Sequence, residues 1–331
     1  MRHYKEIIVD ASGGGKKIYG YLRKNLGFSQ TKISSVKFDP EGIFLNGRHV
    51  TVNAVLSEGD CLRILSDDSK NRDRHIIPVP MELKILYEDE SILAVNKPAG
   101  VVCHPSKGHL LDSLAGGVRY YFDETDPFAN VHLIGRLDKD TSGVVVIAKN
   151  GMTAEMLQKI RRTAAYEKLY VAVAKGIFTE KEGTVRIPMR EDRDIKTGIL
   201  KMVRGEEGKD LLSETSYRVI GETEGFSVLL LNIGTGRTHQ IRFTMAELGH
   251  PLLGDGLYGQ KEGEQGNFEG LLKPETYEAA DEEQGIYEIK RTALHAAKVT
   301  FLHPETGETV RITAPVPKDL RKYLAGCEQI I

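Results

Sequence analysis

Arg136-Leu137-Asp138-Lys139-Asp140-Thr141-Ser142-Gly143 runs directly into Val144-Val145-Val146-Ile147-Ala148. A polar, turn-rich segment carrying a carboxylate thus opens onto a short apolar run that reads as a buried strand. Asp140, Thr141 and Ser142 can hydrogen-bond the backbone of the turn. Asp138 suits a nucleophile or a general base at the mouth of that strand. Taken alone it suits a turn-capping acid as well.

Other strands surround this one in the sequence. Ser91 to Val95, Leu169 to Ala174 and Ser227 to Asn232 are short and largely apolar. Helices are expected over Gly151 to Arg162 and over Thr238 to Leu248, the second closed by Gly249. Strands and helices in this order predict an α+β domain. No internal repeat is visible.

The chain divides near residues 66–78, where a charged stretch without apolar periodicity ends in Pro78-Val79-Pro80. This predicts a module over 1–70, a linker over 71–80 and a larger domain over 81–331. In the module, Lys17 to Leu26 reads as a short helix. Ser29 is placed to cap a second helix running to about Val36. Ile43-Phe44-Leu45 leads into Asn46-Gly47, a hairpin signal, and Cys61 to Leu65 forms another strand. Gly13-Gly14-Gly15-Lys16 suggests a phosphate loop, but Asp10 and Lys17 stand where that motif needs Gly and Ser or Thr.

The chain has 331 residues and a formal net charge of -2. Residues 1–75 carry 13 Lys and Arg against 9 Asp and Glu, whereas residues 261–290 carry 3 against 9. The acidity is therefore local, and residues 260–290 read as a solvated surface insertion. The basic first segment permits binding a polyanion. No apolar run approaches the length of a membrane span, and the N-terminus lacks a signal-peptide layout. Cys61, Cys103 and Cys327 are scattered and fit neither a disulfide framework nor a zinc site, which points to a reducing cytoplasm.

Further segments carry chemistry. In Asn96-Lys97-Pro98-Ala99-Gly100 a strand ends at a turn, where Lys97 is a candidate phosphate contact or a solvated turn lysine. In Lys168-Leu169-Tyr170-Val171-Ala172, strand alternation puts Lys168 and Tyr170 on one face. In Gly234-Thr235-Gly236-Arg237-Thr238-His239-Gln240-Ile241-Arg242 a glycine turn feeds a helix, and His239 and Arg242 share a helical face. Gly254-Asp255-Gly256-Leu257-Tyr258-Gly259 and Leu294-His295-Ala296 read as structural, with His295 a second candidate for the cleft.

Together these segments resemble the RluA-type pseudouridine synthases. The family pattern Lys-Pro-Ala-Gly, Arg-Leu-Asp-x-x-Thr-Ser-Gly, Lys-x-Tyr-x-Ala, Thr-Gly-Arg-x-His-Gln-Ile-Arg, Gly-Asp-x-x-Tyr-Gly and Leu-His-Ala appears in order over about residues 83–320. One departure is Gly135, where many members carry His. The resemblance implies a mixed, mainly antiparallel sheet with flanking helices and a large central cleft. It implies isomerisation of uridine to pseudouridine in structured RNA, ribosomal or transfer, without cofactor or metal. Asp138 matches the essential aspartate, acting through a covalent or a glycal route. Arg242 matches the arginine that pairs with it, and Tyr170 the active-site tyrosine. Arg136 matches the arginine that fills the space left by the flipped base, with Lys97, Arg237 and His239 as further RNA contacts. The module at 1–70 resembles the S4 RNA-binding domain through its two helices, "FLNGRHV" hairpin and "SEGDCLRI" strand entry. It departs from that family at Phe38-Asp39-Pro40-Glu41-Gly42. The expected enzyme is a cytoplasmic monomer with RNA as its partner and no membrane or protein partner. The alternatives are an Asp138-dependent nucleoside or glycoside hydrolase, which needs a second carboxylate, and an inactive RNA-binding relative.

Overall fold

The computed structural model describes residues 4–28, 30–65, 76–195, 198–223, 225–259 and 289–324. Ser29, Cys327, the charged stretch 66–75 and most of the acidic insertion lie outside the described residues.

The N-terminal module is a four-stranded antiparallel sheet with two helices. Its strands are β1 (Tyr4–Ile8), β2 (Ile43–Leu45), β3 (Arg48–His49) and β4 (Cys61–Leu65), in the order β1-β4-β2-β3. Asn46 and Gly47, at φ 50° and 77°, make the expected turn between β2 and β3. Helices α1 (Ile18–Lys24) and α2 (Gln30–Lys37) bury Ile18, Leu22, Ile33 and Val36 against Ile43, Leu62 and Ile64.

The remaining strands form one mixed sheet. They are β5 (Ile85–Glu88), β6 (Ile92–Lys97), β7 (His132–Leu133), β8 (Ser142–Ala148), β9 (Tyr166–Lys175), β10 (Glu182–Arg193), β11 (Leu200–Arg204), β12 (Leu211–Thr223), β13 (Phe226–Ile233), β14 (Leu294–Leu302) and β15 (Thr309–Thr313). The path through the sheet is β11-β10-β12-β13-β9-β14-β8-β6-β5, with β15 beside β14 and β7 beside β8. Every pairing is antiparallel except that of β8 with β14. Helices α3 (Leu114–Thr125), α4 (Gly151–Ile160), α5 (Gln240–Glu247) and α6 (Lys318–Arg321) flank it.

Strand β8 is buried at every position, as its apolar run requires. Helix α3 is hidden in the sequence by Gly116-Gly117, which looks like a helix breaker. Both glycines serve packing. A Cβ on Gly116 would stand 2.9 Å from the Ile77 carbonyl, and one on Gly117 2.8 Å from Met81. The described end of the expected linker is therefore docked on α3, with the Val79 amide donating to the Gly116 carbonyl. Ser113 and Asn150 cap α3 and α4 by accepting from Gly116 N and Thr153 N. Met152 of α4 joins the core of the N-terminal module, and Lys159 Nζ donates to the Gly27 carbonyl at 2.5 Å. Helix α4 is thus shared between the module and the large sheet.

Gly143 sets the position of the acidic turn. Its φ is 117°, and a Cβ there would lie 2.2 Å from the Ala296 carbonyl oxygen and 2.6 Å from the Ala296 nitrogen. Only glycine allows β14 to approach β8 this closely. Gly143→Ala should destabilise the protein by at least about 3 kcal/mol. Denaturant unfolding that shows a loss below about 1 kcal/mol would mean that the two strands can part at little cost.

Candidate active site

A cleft of about 1400 Å³ opens between the turn at 135–141, the start of β9, the turn at 234–239 and the end of α4. Arg136, Asp138, Tyr170, Arg237, His239 and Arg242 all line it. Six of the seven residues singled out from the sequence therefore meet in one place.

Lys97 is the exception. It is fully buried, and its ammonium donates to the carbonyls of Pro98 at 2.8 Å, Val101 at 2.7 Å and Lys139 at 3.0 Å. It ties the Lys-Pro-Ala-Gly turn to the acidic turn and cannot reach a phosphate. Burial pushes its pKa down to about 8, so it keeps its proton at neutrality. His295 is also buried away from the cleft, between Ser142 Oγ at 2.9 Å and the Ala314 carbonyl at 3.3 Å.

The backbone of the acidic turn is held at each step. The Cys103 thiol donates to the Leu137 carbonyl and accepts from the Leu137 amide, at 3.3 and 3.2 Å. The Asp138 carbonyl accepts from Thr141 N at 3.2 Å, and the Lys139 carbonyl from Gly100 N at 2.9 Å as well as from Lys97. Buried Arg291, ion-paired with Asp319 at 2.6 Å, donates to the Asp140 carbonyl at 3.2 Å. The Asp138 side chain, 23% exposed, is left facing the cleft.

Arg242 stands 3.5 Å from Asp138 Oδ2 through Nη1. Its stronger partner is Asp255, so the Gly-Asp turn is more than structural. Asp255 accepts Nε at 2.7 Å and Nη2 at 2.9 Å, and it also accepts the amides of Leu257 and Tyr258. Burial opposes both charges. The pair outweighs it, raising the Arg242 pKa and lowering that of Asp255. The guanidinium beside Asp138 is therefore already half satisfied and fixed in place.

Helix α5 starts at Gln240, two residues later than expected, and His239 precedes it in a left-handed conformation at φ 51°. The cause is Gln240. Its amide accepts from Arg237 N and Thr235 Oγ1, and donates to the Glu214 carbonyl at 2.7 Å, which knots the turn to β12. His239 Nδ1 lies 3.2 Å from the Tyr258 hydroxyl, and burial lowers its pKa, so it is neutral. Arg136 is exposed at the rim and donates to Thr238 Oγ1 at 2.5 Å, while Arg237 is exposed beside it. Tyr170 is buried with its pKa pushed up by that burial, and the neighbouring Tyr166 and Asp138 charges add to the rise. It stays a neutral phenol.

The family of this geometry is decided by comparison. A family model described as RNA pseudouridylate synthase matches residues 91–247. The uncharacterized RNA pseudouridine synthase YjbO of Bacillus subtilis is 35% identical, over 91% of this chain and 96% of that protein. The chain belongs to the RNA pseudouridine synthases. This synthase is also 35% identical to ribosomal large subunit pseudouridine synthase D of Xanthomonas campestris, over 98% of this chain and 93% of that one. The structure of human RNA pseudouridylate synthase domain containing 4 shares its fold, with a TM-score of 0.53 at 24% identity over 73% of this chain and 92% of that one. Its reaction is the isomerisation of uridine within RNA, which sets aside the hydrolase and inactive-binder alternatives.

Lys168 shares the Tyr170 face of β9 and lines the cleft, as strand alternation requires. Burial pushes its pKa down to about 8, Cys103 opposes this, and Arg161 and Lys97 add to it. It is a cation at neutrality and loses its charge as pH rises through that value. The kcat/KM of the synthase on RNA should therefore fall from about pH 7 to about pH 9. That fall should shrink in Lys168→Met. Identical profiles for the two proteins would show that the Lys168 charge takes no part in binding.

Proposed function

We propose that this synthase acts on large-subunit ribosomal RNA and that Asp138 carries the chemistry. The observation that supports this most is an accessible carboxylate at the centre of a cationic cleft large enough for an extruded nucleotide. A base in structured RNA must leave its stack to enter, at a cost of a few kcal/mol. Arg136, at the exposed rim, suits the vacated space, since a guanidinium stacks on bases and bonds phosphate. Arg237, beside it, adds charge at the entrance.

Asp138 acts as an ionised group on the ribose. It attacks C1′ or removes the sugar proton, and in either case the N1–C1′ bond breaks with its electrons on the uracil. Arg242 stands beside the carboxylate without tying it up, because Asp255 holds both of the guanidinium's shorter hydrogen bonds. The uracil turns and bonds to C1′ through C5, displacing the Asp138 carboxylate in the covalent route or with C2′ regaining its proton from Asp138 in the glycal route, and the adduct then loses the C5 proton. The Tyr170 ring is placed to hold the base during that turn. Its raised pKa means that its hydroxyl takes the C5 proton only while passing its own to a base. No electrons leave the substrate, so the chemistry asks for no cofactor.

The N-terminal module is read as an S4-like grip on the RNA, with exposed Lys24, Lys37 and Arg48 as its contacts. The enzyme is read as a cytoplasmic monomer. In cells lacking the protein, pseudouridine should disappear from one or a few large-subunit rRNA positions. The wild-type gene should restore them and Asp138→Ala should not. Loss confined to transfer RNA would overturn the rRNA reading. Restoration by Asp138→Ala would overturn the role of the aspartate.

A further inference from the structure

Helix α4 ends at Arg161, and the side chain of that residue enters the cleft. Its guanidinium lies flat against Gly135. A Cβ on Gly135 would stand 3.3 Å from Cζ, 3.4 Å from Nη2 and 3.5 Å from Nε, so three atoms of the plane are nearly equidistant. The same Nη2 reaches Gly236, where a Cβ would come within 2.3 Å of it. Gly135 has a φ of 86°, which itself favours glycine. Gly236 is not among the positive-φ glycines, and a Cβ there would meet the end of the Arg161 side chain and push the guanidinium aside. Two turns, one leading to Asp138 and one to α5, leave room for the same cation.

The Arg161 guanidinium makes no hydrogen bond or ion pair among the described residues, although it is half-buried. A guanidinium has five donors and no acceptor, so this leaves its whole capacity unused. Its charge is felt inside the cleft, where it acts on Lys168, Tyr166 and Tyr170. Two cations, Arg161 and Lys168, therefore flank the wall that carries Tyr170. Helix α4 gives Arg161 a rigid base, since Met152 and Lys159 tie it to the N-terminal module.

We propose that Arg161 is the seat of a backbone phosphate of the bound RNA, and that the bare backbone of Gly236 lets the guanidinium stand there. The ligand is the phosphodiester beside the extruded uridine. One face of the guanidinium is covered by Gly135, which leaves its N–H edge to fork onto two phosphate oxygens. A neighbouring cation favours an anion over a neutral base as the occupant. The seat rests on the reading of the cleft as the uridine pocket, and it adds a contact from a helix outside the motif segments.

The test uses the full chain and an unmodified in vitro transcript of the host's large-subunit rRNA. Affinity is measured across a salt series, and the isomerisation rate in single turnover at saturating enzyme. Arg161→Gln should weaken binding about tenfold and flatten the slope of log K against log salt by roughly 0.7 to 0.9. Its saturated rate should stay within about twofold of wild type. Arg161→Lys should recover the slope and only part of the affinity. Gly236→Ala should displace the guanidinium, reproduce Arg161→Gln, and add nothing in the double variant. Wild-type affinity and slope in Arg161→Gln would overturn the proposal. So would a loss of saturated rate at unchanged affinity, which belongs to a positioning residue. A wild-type protein that binds the transcript but converts no uridine would sink the rRNA reading instead, while the affinity ratio still decides Arg161.

Discussion

The structure depends on two buried cations that hold backbone carbonyls. Lys97 donates to three carbonyls and Arg291 to the carbonyls of Asp140, Thr292 and Leu294. Burying each charge costs several kcal/mol. Hydrogen bonds from a charged donor return about 1.5 to 3 kcal/mol each. For Lys97, burial still pushes the pKa down. What the arrangement secures is position. The turn at 137–140 has no regular structure, yet each of its carbonyls has a donor, and so the Asp138 carboxylate faces the cleft from a fixed base. The close approach of β14 at Gly143 fixes the far end of the same turn.

A second buried pair sets the electrostatics. Arg242 and Asp255 satisfy each other, and Asp138 receives only the remaining edge of the guanidinium at 3.5 Å. A carboxylate in a full bidentate pair would be stabilised but occupied. One facing a pre-paired arginine keeps its lone pairs. The two jobs of setting a cation beside the acid and of leaving the acid free fall to different residues, Arg242 and Asp255 behind it.

The sequence made the central strand, the module hairpin and six cleft residues legible, because apolar runs, Asn-Gly and ordered motifs report local physics. It misassigned Lys97, since a lysine before proline looks the same whether its ammonium meets water or three carbonyls 42 residues and less away. Asp255 and Tyr258 passed as turn residues because their partners, Arg242, His239 and the Met202 amide, come from other elements. Helix α3 was masked by two glycines that exist for packing against Ile77 and Met81. Arg161 looked like an ordinary basic residue at a helix C-terminus. In each case the deciding contact is long-range, and no periodicity records it.

A buried ammonium holds the turn that bears the acid. Native-state hydrogen exchange in Lys97→Met reads this at two amides, Gly100 N and Thr141 N, which bond the carbonyls of Lys139 and Asp138. With Lys97 gone, both should exchange at least about tenfold faster while amides of β8 keep their protection. Unchanged exchange at Gly100 and Thr141 would mean that the turn holds itself and that Lys97 is only a tolerated charge.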